Sequence, residues 1–147
     1  MHPQQNGRDA ILIVEDNPDH CLILQFSFEE ANIRNPLCFF SDGEQLLEYL
    51  TLHDGKESRP ALILLDLIMP RKGGLETLKE LKADPRFRTI PVVIISSLRK
   101  DKYITQAYQF GASGYIEKPL KLEDFEKVLI TIGEYWFHTV ILPSRGN

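Results

Sequence analysis

Three runs of this 147-residue chain, Ile11–Val14, Ala61–Leu65 and Val92–Ile95, are apolar without interruption, whereas a half-exposed strand would alternate with polar residues. The pattern predicts interior strands of a parallel sheet covered on both faces. A fourth strand is predicted at Leu37–Phe40, ended by Ser41-Asp42-Gly43, and a short fifth around Tyr115-Ile116. Between them lie stretches with apolar residues at three- and four-residue spacing, so strand and helix alternate along the whole chain. The first helix should start at Asn17-Pro18, where Asn can cap and Pro fits the first turn, and run to about Asn32 with Cys21, Leu24, Phe28 and Ala31 on one face. The second carries Leu46, Leu47 and Leu50 and is followed by a loop over residues 53–60. The third runs from about Leu75 to Ala83. The fourth spans about Asp101 to Phe110 and is closed by Gly111, a natural residue just past a helix end. The last places Leu122, Phe125, Val128, Leu129, Ile132 and Trp136 on one side.

Each strand but the second ends on chemistry-bearing groups. Ile11–Val14 runs into Glu15-Asp16, Ala61–Leu65 into Asp66, Val92–Ile95 into Ser96-Ser97, and the short fifth strand into Glu117-Lys118-Pro119. In an open parallel sheet these ends share one edge, where ligands and chemistry collect. Carboxylates crowded at one edge repel unless a cation lies between them, and an oxygen-only donor set points to Mg²⁺. Asp66 can then act as a nucleophile toward phosphorus, with Lys118 balancing charge on a phosphoryl oxygen. Taken singly, each residue also has an ordinary reading as a turn former, a cap or a solvated charge. Their joint placement at four strand ends favours a site.

Composition narrows the class. The chain is 43% hydrophobic and 26% charged, ordinary for a single globular domain, which is expected to span 1–147. No stretch approaches the roughly 20 apolar residues of a membrane span, and the opening residues show no secretory pattern, so a cytoplasmic protein is expected. Cys21 and Cys38 read as reduced core residues, and His2, His20, His53 and His138 are too scattered for a zinc motif, each reading as a surface or packing residue. A net charge of −4 argues against a nucleic-acid partner.

On Glu15-Asp16, Asp66 with Met69-Pro70 and Gly73-Gly74 after it, Ser96, and the run Gly114-Tyr115-Ile116-Glu117-Lys118-Pro119, the chain resembles the receiver domains of two-component response regulators. The match covers about residues 10–136. The resemblance implies a doubly wound α/β fold, flavodoxin-like (CheY-like), with five parallel strands in the order 2-1-3-4-5 and a C-terminal extension at 137–147. It implies that Asp66 accepts a phosphoryl group from a sensor histidine kinase or phosphotransfer protein, and that Asp16, Asp66 and the carbonyl of Ile68 bind Mg²⁺ with Glu15 contributing through water. Lys118 would pair with the phosphoryl oxygens, Ser96 and Tyr115 would be the switch residues, and the Lys118–Pro119 peptide would be cis. Such a protein is a self-modifying switch rather than a turnover enzyme.

Two features depart from the best-known members. Ile68 and Leu98, two residues past Asp66 and Ser96, are apolar where a polar side chain could place an attacking water, which implies a long-lived phosphorylated state. The segment from Gly133 to Pro143 is dense in aromatics, with Tyr135, Trp136 and Phe137, and ends in a β-like apolar run. It must be buried either on its own domain or in a homodimer, and the dimer is the expectation. This ending and the 53–60 loop look similar to small stand-alone regulators that partner phytochrome-type kinases. No output domain is expected, so the signal would leave by protein contact through the fourth helix, fifth strand and fifth helix. Two rival classes fit less well. A phosphatase resembling the haloacid dehalogenase family would need an Asp at 68, and a flavodoxin-like cofactor binder would not place Glu15-Asp16 against a flavin phosphate.

Overall fold

The computed structural model describes residues 9–55, 59–69 and 72–143. The parts of the 53–60 loop and of the turn after Asp66 that fall on residues 56–58 and 70–71, and the two chain ends, lie outside the described residues. Five strands, β1 (Ile11–Val14), β2 (Leu37–Phe40), β3 (Leu62–Leu65), β4 (Val92–Ser96) and β5 (Gly114–Glu117), form one parallel sheet in the order β2-β1-β3-β4-β5. Among the described residues, five helices connect and follow them: α1 (Pro18–Glu30), α2 (Gly43–Leu52), α3 (Gly74–Ala83), α4 (Asp101–Gln109) and α5 (Leu122–His138). This is the doubly wound, flavodoxin-like arrangement expected.

The uninterrupted apolar strands follow from two separate cores. On one face Leu12, Val14, Ile63, Leu65, Val92 and Ile94 meet Leu46 and Leu50 of α2, Leu78 and Leu81 of α3, and Ala107 of α4. On the other, Ile11, Ile13, Leu62, Leu64, Val93 and Ile95 meet Leu24 and Phe28 of α1 and Phe125, Leu129 and Ile132 of α5. Successive residues of a strand point to opposite faces, so a strand covered twice needs apolar side chains at every position. The outer strands β2 and β5 are only half-buried.

Caps set several boundaries. The Asn17 side chain accepts from the backbone N–H groups of Asp19 and His20, and Asp42 accepts from Gln45, so α1 and α2 begin where their first N–H groups find oxygen. Gly111, at φ 104°, turns the chain out of α4. Gly74 opens α3 against the turn after β3: a Cβ there would lie 2.5 Å from the Asp66 carbonyl oxygen and 2.6 Å from the Leu67 Cα, and the Gly74 N–H donates to the Leu67 carbonyl at 3.2 Å. The absence of a side chain lets the helix support the backbone that carries Asp66.

The tail differs from its sequence reading. Residues 140–142 form no strand. α5 instead continues through Gly133 to His138, the Val140 N–H donates back to the Tyr135 carbonyl at 2.8 Å, and His138 Nε2 meets the Ala31 carbonyl oxygen at 2.9 Å. Trp136 and Phe137 pack on the core shared with α1, so helix packing outweighs local β preference. Tyr135 and Ile141 stay exposed.

Ser27, fully buried in α1, has a hydroxyl oxygen with no hydrogen-bond partner. A desolvated hydroxyl without a partner costs stability. Ser27→Ala should therefore hold or raise stability, by up to about 1 kcal/mol in urea unfolding, whereas a hidden structural bond would make it fall.

Candidate functional site

The site is assembled by strand register. Val14 of β1 stands beside Leu65 of β3, and the Asp66 N–H donates to the Val14 carbonyl at 3.3 Å, so Glu15 and Asp66 leave the sheet side by side. On the other flank, Ser96 pairs with Glu117, and the Lys118 N–H donates to the Ser96 carbonyl at 2.8 Å. That bond extends the β4–β5 ladder by one residue and aims the lysine back across the edge. Its Nζ donates to Glu15 Oε1 at 2.8 Å and to Asp66 Oδ2 at 3.1 Å. The remaining carboxylate oxygens are also engaged: Glu15 Oε2 accepts from the Asn17 N–H and Asp66 Oδ1 from the Ile68 N–H, each at 3.1 Å.

Burial gives these contacts weight. The side chains of Glu15, Lys118 and Asp66 are 6%, 10% and 12% exposed. Burial drives the Asp66 carboxyl above its ordinary range, and the opposing pull of Lys118 and the Ile68 N–H does not cancel that rise. For Lys118 burial acts downward, but the hydrogen bond to Glu15 and the charges of Asp66 and Glu15 outweigh it, and the ammonium is held above its usual value. Removing the lysine would leave two largely buried carboxylates facing each other without a counter-charge.

The structure adds a residue that the sequence alone presents as surface or packing. His20, in the first turn of α1, places Nδ1 3.3 Å from Lys118 Nζ and 3.6 Å from Glu15 Oε1, with its ring edge-on to Phe125 at 5.3 Å between centroids. The available signal was positional: His20 follows the acidic pair by one helical turn, so its side chain returns over the same strand end.

Ser96 and Tyr115 meet at one residue. Ser96 is fully buried and its Oγ accepts from the Leu98 N–H at 3.1 Å, while the half-buried Tyr115 hydroxyl donates to the Leu98 carbonyl. Burial raises the Tyr115 phenol above its usual value, so it remains a donor.

Two expectations need adjusting. The described residues contain no cis peptide bond, so Lys118–Pro119 is trans. Trans is the intrinsically favoured isomer, by about 0.5–1 kcal/mol for a bond to proline, and with it the lysine already reaches both carboxylates. Nor, among the described residues, are three or more His, Cys, Asp or Glu side chains gathered as a ready metal cage. Glu15 and Asp66 face Lys118, and Asp16 is exposed. The donor chemistry still suits a hard divalent cation: three carboxylates and the Ile68 carbonyl are all oxygen, and three negative charges against one lysine leave an excess of two.

The family model described as response regulator receiver domain matches residues 11–130. The chain belongs to that family. Among its relatives, the probable methanogenesis regulatory protein FilR2 of Methanothrix harundinacea is 37% identical over 127 residues, covering 86% of this chain and 82% of that protein. Response regulator Rcp1 of Synechocystis is 32% identical over 146 residues, covering 98% of this chain and 99% of the other. Similar solved structures include the phosphorylated cyanobacterial phytochrome response regulator RcpA, with a TM-score of 0.86 at 34% identity over 93% of this chain and 99% of that one. The Mn²⁺-bound form of Rcp1 has a TM-score of 0.85 at 32% identity, over 92% and 99%. No helix among the described residues is long and apolar enough to cross a membrane.

The raised Asp66 value has a definite sign in folding. A carboxyl that binds its proton more tightly when folded stabilises the native state below its unfolded value, near 3.8, and that contribution is lost as pH rises through the folded value. In metal-free buffer, Asp66→Asn should gain stability relative to wild type as pH climbs from about 3 toward neutrality. A difference in unfolding free energy that stays flat, or runs the other way, would contradict the burial argument.

Proposed function

We propose that this chain is a phosphorylation-controlled switch that takes a phosphoryl group on Asp66 from the phosphohistidine of a sensor kinase or phosphotransfer protein. The observation that carries the reading is Lys118 Nζ lying between Asp66 and Glu15 at the carboxyl edge of the sheet. In this reading an Asp66 oxygen attacks phosphorus, the P–N bond to histidine breaks, and an acyl phosphate forms. Asp16, Asp66 and the Ile68 carbonyl would hold Mg²⁺, with Glu15 contributing through water. The bound ion supplies charge neutralisation between the carboxylates and the incoming group. Lys118 covers a phosphoryl oxygen and keeps it oriented.

The product carries roughly two negative charges and strong acceptor oxygens where one carboxylate stood. Lys118 and the Ser96 hydroxyl become its natural donors, so Ser96 exchanges the Leu98 N–H for the phosphoryl group and the loop after β4 moves with it. Tyr115, tied to the same residue, follows. The altered surface is α4, β5 and α5. A groove of about 400 Å³ between β5 and α5, lined by Ile116, Val128, Ile132, Tyr135 and Trp136, supports a second copy of this chain as a partner there. The likeness to the phytochrome response regulator RcpA supports a phytochrome-type kinase as the donor. Ile68, 53% exposed and apolar, offers no acid or base for a phosphatase that turns over.

With Mg²⁺ and acetyl phosphate, the wild-type protein should gain the mass of one phosphoryl group and shift toward dimer, and Asp66→Ala should do neither. Release of many equivalents of phosphate at an enzymatic rate would favour the phosphatase instead. The phosphorylated form should also decay slowly, because neither Ile68 nor Leu98 can orient a water. Ile68→Asn should shorten its lifetime severalfold in a phosphate-release assay, and equal lifetimes would remove that explanation.

A further inference from the structure

Lys118 has three ammonium hydrogens and three acceptors: Glu15 Oε1 at 2.8 Å, Asp66 Oδ2 at 3.1 Å and His20 Nδ1 at 3.3 Å. We propose that His20 is a positioning residue for Lys118, a neutral anchor that holds the ammonium beside Asp66 throughout phosphoryl transfer. The inference rests on the function proposed for Asp66 and names a residue which that function does not otherwise require.

The geometry selects the role. An ammonium only donates, so a nitrogen 3.3 Å from it must present a lone pair, and the neighbouring Glu15 oxygen, at 3.6 Å, is beyond hydrogen-bond range of the imidazole. His20 therefore carries its proton on Nε2 and leaves Nδ1 bare. The ring is held in place from the other side by Phe125, itself buried, through an edge-on contact at 5.3 Å. A side chain fixed by packing on one side and by a charge on the other has little freedom to drift.

The three anchors are not equivalent. Glu15 and Asp66 are hard oxygen donors, the kind a divalent cation and its waters claim, and Asp66 also changes its own chemistry when it is phosphorylated. An imidazole nitrogen is a poor ligand for a hard cation, so His20 is the acceptor free to stay with Lys118 when the other two are engaged elsewhere. Its side chain is 24% exposed, enough for Nε2–H to be satisfied by solvent. The lysine can then turn toward a phosphoryl oxygen while one hydrogen bond keeps its end from swinging into solvent.

Two measurements test this. In wild-type protein, the ¹⁵N NMR signals of the His20 ring should show the tautomer with a bare Nδ1 and a protonated Nε2; the opposite tautomer, or a doubly protonated ring at neutral pH, overturns the proposal whatever any variant does. The second compares His20→Asn, whose side-chain oxygen can take the place of Nδ1, with His20→Phe, which keeps the ring packing on Phe125 and lacks the acceptor. Rates of phosphorylation by acetyl phosphate should fall about tenfold in His20→Phe, the scale of one hydrogen bond to a charged group, and recover in His20→Asn to near wild type. Equal rates in wild type and His20→Phe, or equal losses in both variants, overturn it. If the wild type accepts no phosphoryl group, the reading of Asp66 fails and this inference with it; if the wild type is modified normally and His20→Phe matches it, only the role of His20 is lost.

Discussion

One ammonium group joins parts of the chain 103 and 52 residues apart. From the end of β5, Lys118 reaches Asp66, after β3, across β4, and Glu15, after β1, across β4 and β3. Parallel register brings every strand out at the same edge, and the Lys118 N–H bond to the Ser96 carbonyl sets how far along that edge the lysine begins. Without the lysine, two nearly buried carboxylates would adjoin with like charge, and the ends of β1 and β3 would have reason to separate. The folded arrangement is thus inseparable from its charge pattern: the same groups that hold the edge together are those that would receive a phosphoryl group.

Burial makes the arrangement responsive. Carboxylates in water would be indifferent to one additional anion nearby. Here the low-polarity surroundings strengthen each contact and penalise each unpaired charge, so a change of charge at Asp66 would redistribute the donors around it. The two cores below the edge would keep that redistribution local. Inner strands packed on both faces cannot slide, whereas in the loop after β4 the ties to Ser96 and Tyr115 both run through the main chain of one residue, Leu98.

The sheet, the alternation of elements and the strand-end chemistry were legible because their causes are local. An unbroken apolar run, an Asn-Pro start and a glycine after a helix each act over a few residues. Glu15, Asp66, Ser96 and Lys118 could be brought to one edge on paper because parallel strands leave no other option. What escaped was set by tertiary contact. The 140–142 run looks like a strand in isolation, yet α5 runs on to His138 because Trp136 and Phe137 have a core to join and His138 finds the Ala31 carbonyl. His20 looked like any histidine on an amphipathic helix, since its neighbours Lys118 and Phe125 lie about a hundred residues further along. The trans Lys118–Pro119 bond is an isomer choice that side-chain identity does not announce.

Leu98 has a standing that its side chain conceals. The groups that tie it to Ser96 and to Tyr115 are its amide hydrogen and its carbonyl oxygen, both parts of the main chain. Any amino acid but proline supplies the same pair. The link between the buried hydroxyl and the aromatic ring is therefore written into the course of the polypeptide at this point, and exchanging one side chain for another would leave both bonds in place while altering only the leucine's packing.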